Sequence, residues 1–133
     1  MLLVKTKLDK SEISGIGLFA DEFIKEGTVV WEYNPKFDLL YSKEEIEHLP
    51  VAFQEQLHKY SYLDKDYGKY LLCGDDARFF NHSDDPNCLD SVSDEDVTIA
   101  ARDIQKGEEL TCNYRVFYSN LNDHPEIKLM AKL

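Results

Sequence analysis

The chain has 133 residues, a length typical of one domain, and its 15 Lys and Arg against 26 Asp and Glu give a formal net charge of −11. An acidic surface of this kind repels the phosphate backbone, which argues against direct binding of nucleic acid. The apolar fraction of 43% is near the globular norm and argues against disorder. The charge would suit a basic partner, although it also serves solubility alone.

Compartment signals in the sequence predict an intracellular protein. No apolar run approaches the roughly 18 residues of a membrane span, and the first residues lack the apolar core and cleavage site of a secretory signal. Cys73, Cys88 and Cys112 are odd in number and widely spaced, which fits neither a disulfide framework nor a zinc site built from paired cysteines. We expect a cytoplasmic setting, with a nuclear or host-delivered location left open, and no metal.

Short strands and a helical insertion are predicted in the first half of the chain. Strands are predicted where β-branched and aromatic residues cluster, at residues 2–8, 18–20 and 28–33. Ser42 followed by Glu45 forms a capping box, which predicts that a helix begins there. Pro50 should end this helix, and it can be the first residue of a second helix that continues to about Tyr60.

More short strands surround a polar loop in the second half. The predicted strands are residues 67–73, 97–101 and 109–114, and a short helix is predicted after Pro125. The loop covers residues 74–87, where Phe79 and Phe80 should anchor it. Because strands do not alternate with helices, the pattern predicts a mainly β fold with a small helical insertion and excludes a doubly wound nucleotide-binding fold.

The densest cluster of functional residue types is the segment Arg78-Phe79-Phe80-Asn81-His82-Ser83 within this loop. Ordered polar loops often carry function, and Asn and His can pair with an adenine or ribose edge. The alternative is a loop that is held together by its own Asn and Ser side chains. Residue types alone slightly favour this alternative.

Four other features have ordinary explanations beside the functional ones. Glycines 15 and 17 allow a backbone to approach a ligand closely, but a hairpin turn needs glycine just as often. Tyr114, at the end of a predicted strand, is more typical of a core or an interface than of catalysis. The acidic residues between 84 and 96 lack the spacing of a calcium loop, and Cys88 has no base nearby in sequence.

In their order and spacing, these segments together resemble the SET-domain family of protein lysine methyltransferases. Residues 15–20 read GIGLFA, which resembles the family's GxGLFA, and residues 62–63 supply a Tyr-Leu pair after the helical insertion. Residues 78–88, RFFNHSDDPNC, resemble the RFxNHSxxPN signature, and residues 101–114, ARDIQKGEELTCNY, resemble the closing ARDIxxGEELTxxY. The resemblance therefore covers the chain from about residue 3 to residue 115.

The resemblance implies a β-clip-like SET-domain fold of several short sheets, in which the closing segment threads under a loop as a C-terminal pseudoknot. It implies a SET domain at residues 1–116 and a tail at 117–133 that completes or flanks the substrate channel. The implied reaction is S-adenosyl-L-methionine-dependent methyl transfer to the side-chain amine of lysine in a protein. The alternative is a catalytically weak SET-like module that binds a protein partner or cofactor without efficient turnover.

The resemblance also implies roles for individual residues. Tyr114 would be the catalytic tyrosine, with Tyr62 beside it. The residues implied to bind S-adenosyl-L-methionine are Ile16, Gly17, Leu18, Arg78, Phe79, Asn81, His82 and Tyr114. The residues implied to line the substrate channel are Tyr62, Cys112, Phe117 and Tyr118.

The implied partner is a basic, lysine-containing protein or peptide, for example a histone-like one, and the chain would be a monomer or a homodimer without direct contact to nucleic acid or membrane. Three departures from the family pattern stand out. The tail from Arg115 has no cysteine for the zinc segment that histone methyltransferases of the family often carry, and Asp84 replaces a usual cysteine. Cys112 stands where many members have Phe or Tyr, and its smaller side chain predicts di- or trimethylation.

Overall fold

The computed structural model describes residues 1–64, 68–90 and 97–114, which form short strands in four small sheets, two helices and a 3-10 helix. The strands are β1 (Thr6–Lys10), β2 (Ile16–Ala20), β3 (Val29–Glu32), β4 (Leu39–Tyr41), β5 (Tyr62–Asp64), β6 (Lys69–Leu72), β7 (Asn81–His82), β8 (Cys88–Asp90), β9 (Val97–Ala100) and β10 (Thr111–Cys112). The helices are α1 (Lys43–Glu47), α2 (Val51–Tyr60) and the 3-10 helix Asp76–Phe79. The predicted mainly β fold with a small helical insertion is confirmed.

A hairpin of β1 and β2 presents the first glycine-rich segment. The strands are antiparallel, with Leu8 opposite Leu18. The turn is closed by a 2.9 Å hydrogen bond from the Ser11 N–H to the Gly15 carbonyl, and Gly15 has φ of 53°, a left-handed conformation that glycine adopts without steric cost. As a result β2 begins at Ile16, two residues earlier than predicted.

The main core lies against the sheet in which β9 is flanked by β3 and β8. Cys88 pairs with Ala100, and both side chains are fully buried, so small residues bring this face close to the rest of the core. Large side chains that complete the core are Leu18, Ile24, Val30, Ile104 and Leu110. Burial of each such aliphatic side chain contributes about 1.5–3 kcal/mol to folding.

The helical insertion packs on the sheet in which β6 is flanked by β4 and β5. The predicted capping box is present: the Glu45 N–H donates to Ser42 Oγ at 3.1 Å, and the Ser42 N–H donates to Glu45 Oε2 at 2.7 Å. Pro50 is the N-cap of α2, one position earlier than its predicted place as the first helical residue. Leu57 is the fully buried centre of this second core, with Ile46, Leu63 and Tyr70.

The closing segment lies beside the polar loop through the parallel pair β7 and β10. Thr111 is opposite Asn81, Cys112 is opposite His82, and the Ser83 N–H donates to the Cys112 carbonyl at 3.0 Å. A two-residue parallel pair is weak by itself. Side-chain clamps must therefore hold the juxtaposition that the pseudoknot requires.

Several element boundaries differ from prediction because pairing partners are distant in sequence. The predicted strand 2–8 begins only at Thr6, since Leu2 forms a bridge with Trp31 instead. The predicted strand 109–114 shortens to β10, and Tyr114 follows it. Strands β4, β5, β7 and β8 were not predicted, and β7 lies within the segment predicted as a loop. The boundary at 116 and the helix after Pro125 lie outside the described residues.

Neither helix in the described ranges has the length and apolar character of a membrane span.

Candidate functional site

Asn81 lies at the start of β7, and its side-chain amide faces the β1–β2 turn. Its Nδ2 atom donates to Glu109 Oε1 at 2.8 Å. Three further acceptors lie within 3.4 Å of the same nitrogen, namely Ser11 Oγ and the backbone carbonyls of Ser14 and Ile16. We call these four acceptors and the Asn81 amide the cradle. A carboxamide nitrogen has two hydrogens, so the cradle holds more acceptors than Asn81 can satisfy.

Gly17 leaves the space that the Glu109 carboxylate occupies. A β-carbon at position 17 would collide with Glu109 Oε1, and it would lie 2.8 Å from Glu109 Cδ and 3.1 Å from Ser11 Cβ. Phe19 forms a bridge with Glu109, which aligns the closing segment beside β2. Glycine is therefore needed at position 17 for space, whereas Gly15 is needed for its conformation.

Asn87 is the buried clamp that fixes the closing segment. Its Nδ2 donates to the Glu109 carbonyl at 2.8 Å, and its Oδ1 accepts from the Thr111 N–H at 2.9 Å. The Asn87 backbone N–H in turn donates to Thr111 Oγ1 at 3.2 Å. These bonds satisfy polar groups that would otherwise be buried without partners, and they set the position of Glu109.

His82 joins the loop to Tyr114. The Tyr114 N–H donates to His82 Nδ1 at 3.1 Å, and the other ring nitrogen, Nε2, lies 3.1 Å from Asp84 Oδ1. The first bond uses the Nδ1 lone pair, so the neutral ring carries its proton on Nε2, facing Asp84. The rings of His82 and Tyr114 are 5.7 Å apart between centroids.

Tyr62 and Tyr114, the two predicted catalytic residues, are in contact. Their ring centroids are 5.6 Å apart with an interplanar angle of 77°. The Tyr62 hydroxyl donates to the Ala77 carbonyl at 3.1 Å, and the Tyr114 hydroxyl donates to the Phe80 carbonyl. Both phenols are thus oriented by backbone carbonyls, one in the 3-10 helix and one directly after it.

The phenol of Tyr62 and the neighbouring thiol of Cys112 form a wall that is uncharged at neutral pH. Burial raises the pKa of Tyr62 well above its ordinary value of 10.0, and the neighbouring Tyr114 and Cys112 raise it further. Burial likewise raises the pKa of the Cys112 thiol. The half-buried phenol of Tyr62 and the buried thiol of Cys112 are therefore uncharged at neutral pH and stay so into alkaline solution.

Arg78 and Phe79 hold the 3-10 helix against α2. The Arg78 guanidinium donates to the Cys73 carbonyl at 2.9 Å and lies 6.0 Å from the centre of the Tyr60 ring. Phe79 meets the same ring edge to face at 5.4 Å. Both residues therefore have a structural role here, and direct contact of either with a cofactor stays a prediction.

The remaining predicted residues differ in what they can offer a ligand. Ile16 is exposed, whereas the Leu18 side chain is in the core and its carbonyl accepts from the Leu110 N–H at 2.7 Å. Leu18 could therefore contribute only through its backbone N–H, and the role stays a prediction. Phe117 and Tyr118 lie outside the described residues.

Sequence reasoning missed three residues of this arrangement: Ser11, Asn87 and Glu109. Asn87 and Glu109 lie within the segments that carry the family resemblance. Their roles depend on the approach of the closing segment to the loop, which a linear motif does not display. Ser11 carries no signal in the sequence, because its contact with Asn81 forms only when the hairpin folds beside β7.

The sequence model of the SET domain matches residues 15–115 of the chain. The chain belongs to the SET-domain family. Among its relatives, histone-lysine N-methyltransferase 2D of Homo sapiens is 31% identical over 117 residues, covering 81% of this chain and 2% of the relative. The H3 lysine-36 specific histone-lysine N-methyltransferase of Mycosarcoma maydis is 33% identical over 126 residues, covering 85% of this chain and 12% of the relative. The chain thus spans a small part of these relatives.

Solved structures confirm the SET-domain fold. The Chaetomium thermophilum Polycomb Repressive Complex 2 bound to GSK126 matches with a TM-score of 0.67 and 27% identity, covering 94% of this chain and 18% of that chain. The ctPRC2 complex bound to S-adenosylmethionine matches with a TM-score of 0.64 and 27% identity, covering 90% and 16%. The similarity extends over most of this chain.

Proposed function

We propose that this protein transfers the methyl group of S-adenosyl-L-methionine to the side-chain amine of lysine in a protein substrate. The observation that carries the proposal is the contact of Tyr62 with Tyr114 beside the Asn81–His82 strand. Two relatives bear the name histone-lysine N-methyltransferase, and one similar structure holds S-adenosylmethionine. Geometry and family therefore support the same reaction.

The cradle around Asn81 fits the methyl donor by its chemistry. The acceptors exceed the hydrogens of Nδ2, and Asn81 Oδ1 accepts no hydrogen bond from any residue that the structure describes, so the cradle suits a cationic group with several N–H donors. Asn81, the backbone at Ile16 and Gly17, and His82 would hold the donor. When bound, the donor supplies an electrophilic methyl group on a sulfonium centre.

Tyr114 positions its hydroxyl oxygen for the transfer. The ring is held by Tyr62, the backbone N–H by His82, and the hydroxyl hydrogen by the Phe80 carbonyl. A phenol whose hydrogen is engaged still has oxygen lone pairs, which can accept weak contacts from a polarised methyl group. Such pre-organisation accelerates a reaction that requires collinear amine, methyl and sulfur.

The neutral wall favours the reactive form of lysine. With a pKa near 10.4, only about one lysine in 2,500 is neutral at pH 7. An uncharged phenol and thiol beside the amine do not stabilise its unreactive ammonium form, and burial, which raises the pKa of Tyr62 and of Cys112, keeps both groups uncharged into alkaline solution. Desolvation in an aromatic channel then helps the amine to lose its proton.

A basic protein is the substrate class that we propose. The formal net charge of −11 favours association with a lysine-rich segment, and histones are such proteins. The intracellular location, the monomeric or homodimeric state and the di- or trimethyl product stay predictions.

The test is transfer of a labelled methyl group from S-adenosyl-L-methionine into core histones and into a whole-cell lysate. We expect labelled protein lysine with the wild type and loss of the label with Tyr114→Phe. Tyr41→Phe is the matched control, because Tyr41 packs against Phe53 on the insertion, and it should retain transfer. Absence of label from both preparations with the wild type would contradict the proposal.

A further inference from the structure

We infer that Glu109 is a specificity-determining residue whose carboxylate binds the α-ammonium group at the amino-acid end of the methyl donor. The inference rests on the proposed function and adds a charged residue that neither the family resemblance nor the comparisons assign to this chain. The inference predicts that the negative charge of Glu109 raises the affinity for a ligand that carries the ammonium group. The charge should not affect the affinity for a ligand that lacks this group.

The first argument is that Glu109 is a half-buried carboxylate without a cationic partner among residues 1–64, 68–90 and 97–114. Within these ranges its side-chain partner is the neutral amide of Asn81, at 2.8 Å. Partial burial of a carboxylate is unfavourable unless a cation or several donors compensate for the lost water. One neutral donor compensates only in part, so the site favours a cation.

The second argument is that three elements hold the carboxylate in one place. Gly17 on β2 leaves the space for it, and the Asn81 amide on β7 donates to it. Asn87 holds the Glu109 carbonyl at 2.8 Å, which fixes the backbone from which the side chain extends. A solvated surface glutamate does not need such a fixed position, whereas a residue that binds a ligand benefits from pre-organisation.

The third argument is the chemistry of the neighbours. The other groups within 3.4 Å of the Asn81 Nδ2 atom that Glu109 contacts are acceptors toward it, namely the carbonyls of Ser14 and Ile16 and the hydroxyl oxygen of Ser11. An anion would be repelled here, whereas a primary ammonium has three N–H donors that can use these surplus acceptors. The amino-acid end of the donor carries such a group, and its nucleoside end does not.

The neighbouring glutamate is a natural control. Glu108 is exposed, and its Oε2 accepts from the Gln105 N–H within the adjacent turn. Replacing Glu108 removes one negative charge from the same segment without touching the cradle. Any general electrostatic effect of the acidic surface therefore appears equally in both variants.

The experiment measures affinity by calorimetry for two ligands that cannot react. S-adenosylhomocysteine keeps the amino-acid end, and 5′-methylthioadenosine keeps the nucleoside but lacks that end. We expect Glu109→Gln to weaken S-adenosylhomocysteine binding by about tenfold or more, as loss of a charge-assisted hydrogen bond requires. Binding of 5′-methylthioadenosine should stay within twofold, and Glu108→Gln should leave both affinities unchanged.

Equal weakening of both ligands by Glu109→Gln, or weakening of neither, would overturn the inference and leave the proposed function intact. Gly17→Ala provides a second variant, since the added methyl group displaces the carboxylate, and it should show the same selective loss. Urea unfolding of each variant without ligand verifies that it is folded. A wild-type protein that binds neither ligand would overturn the proposed function and this inference together.

Discussion

Tyr62 and Tyr114 meet edge to face with their ring centroids 5.6 Å apart, and this contact connects the helical insertion to the closing segment. Tyr62 is the first residue of β5, in the sheet on which the helical insertion packs. Tyr114 follows β10 and packs against both hydrophobic cores. The hydroxyls of the two residues donate to the carbonyls of Ala77 and Phe80. The pair is therefore positioned by the fold around it, which makes the role of each tyrosine testable by removing single atoms.

Tyr114→Phe should lower the methyl-transfer rate about 100-fold, because a pre-organised polar group at a reacting centre typically contributes this much. Binding of S-adenosyl-L-methionine should change less than twofold, since the ring keeps its contacts. Steady-state kcat and a calorimetric Kd measure the two quantities. A variant that retained the wild-type rate would refute the catalytic assignment of Tyr114.

Asn87→Ala should destabilise the fold by about 3 kcal/mol, because it leaves the Glu109 carbonyl and the Thr111 N–H without their buried partner. Asn34→Ala is the control, since the Asn34 side chain accepts one exposed hydrogen bond, from the Lys36 N–H, and its loss should cost about 1 kcal/mol or less. Urea unfolding of both variants gives the comparison. Equal losses would show that Asn87 does not clamp the closing segment.

Gly17→Ala and Gly107→Ala should destabilise the protein for different reasons. Gly107 has φ of 96° with open space around it, so alanine there meets only a backbone cost of about 1–2 kcal/mol. Alanine at position 17 collides with the Glu109 side chain, at a cost of about 1–3 kcal/mol.

A double-mutant cycle separates these two causes. In a Glu109→Ala background, Gly17→Ala should become less destabilising by about 1 kcal/mol, because the colliding carboxylate is gone. Gly107→Ala should cost the same in both backgrounds. Additive free energies of unfolding for the Gly17 and Glu109 variants would contradict the close approach of these residues.

Cys88 should make the protein less stable in alkaline solution. Burial raises the pKa of its thiol from 9.0 to about 12, and the Arg102 charge opposes the shift only in part. The unfolded chain then releases this proton above pH 9 while the folded chain retains it. The stabilisation is complete below pH 9 and is lost progressively as the pH rises toward 12.

The measurement is the free energy of unfolding at pH 8 and pH 10 for the wild type and Cys88→Ala. The decrease between these pH values should be smaller in the variant by about 1.4 kcal/mol, the value of one pKa unit. Between pH 6 and pH 8 the two proteins should show the same change, since the thiol is protonated in both states. An identical alkaline decrease would mean that Cys88 titrates normally in the folded protein.

Helices α1 and α2 could be predicted because their signals are local. Ser42 and Glu45 are separated by one helical turn, and Pro50 follows the end of α1 and is the N-cap of α2. Strands β5 and β8, each of three residues, were missed because their stability comes from pairing with β6 and β9 rather than from their own residue types.

The candidate site was predictable in part. Asn81, His82, Tyr62 and Tyr114 were identified from the family resemblance, and the structure brings them into one region. The position of the Glu109 carboxylate over Gly17 could not be predicted. Gly17, which provides space, and Gly15, which provides a turn, look the same in a sequence.

The sequence by itself determined the mainly β class, the capped insertion and the residue types that resemble those of the SET-domain family, because these depend on local propensity and on chemistry that each side chain carries everywhere. Only the tertiary structure decided that Tyr62 meets Tyr114, that Glu109 lies over Gly17, and that the pKa values of Tyr62 and Cys112 are raised. Contact and burial depend on which distant segments the chain path brings together, and burial sets the pKa of a group.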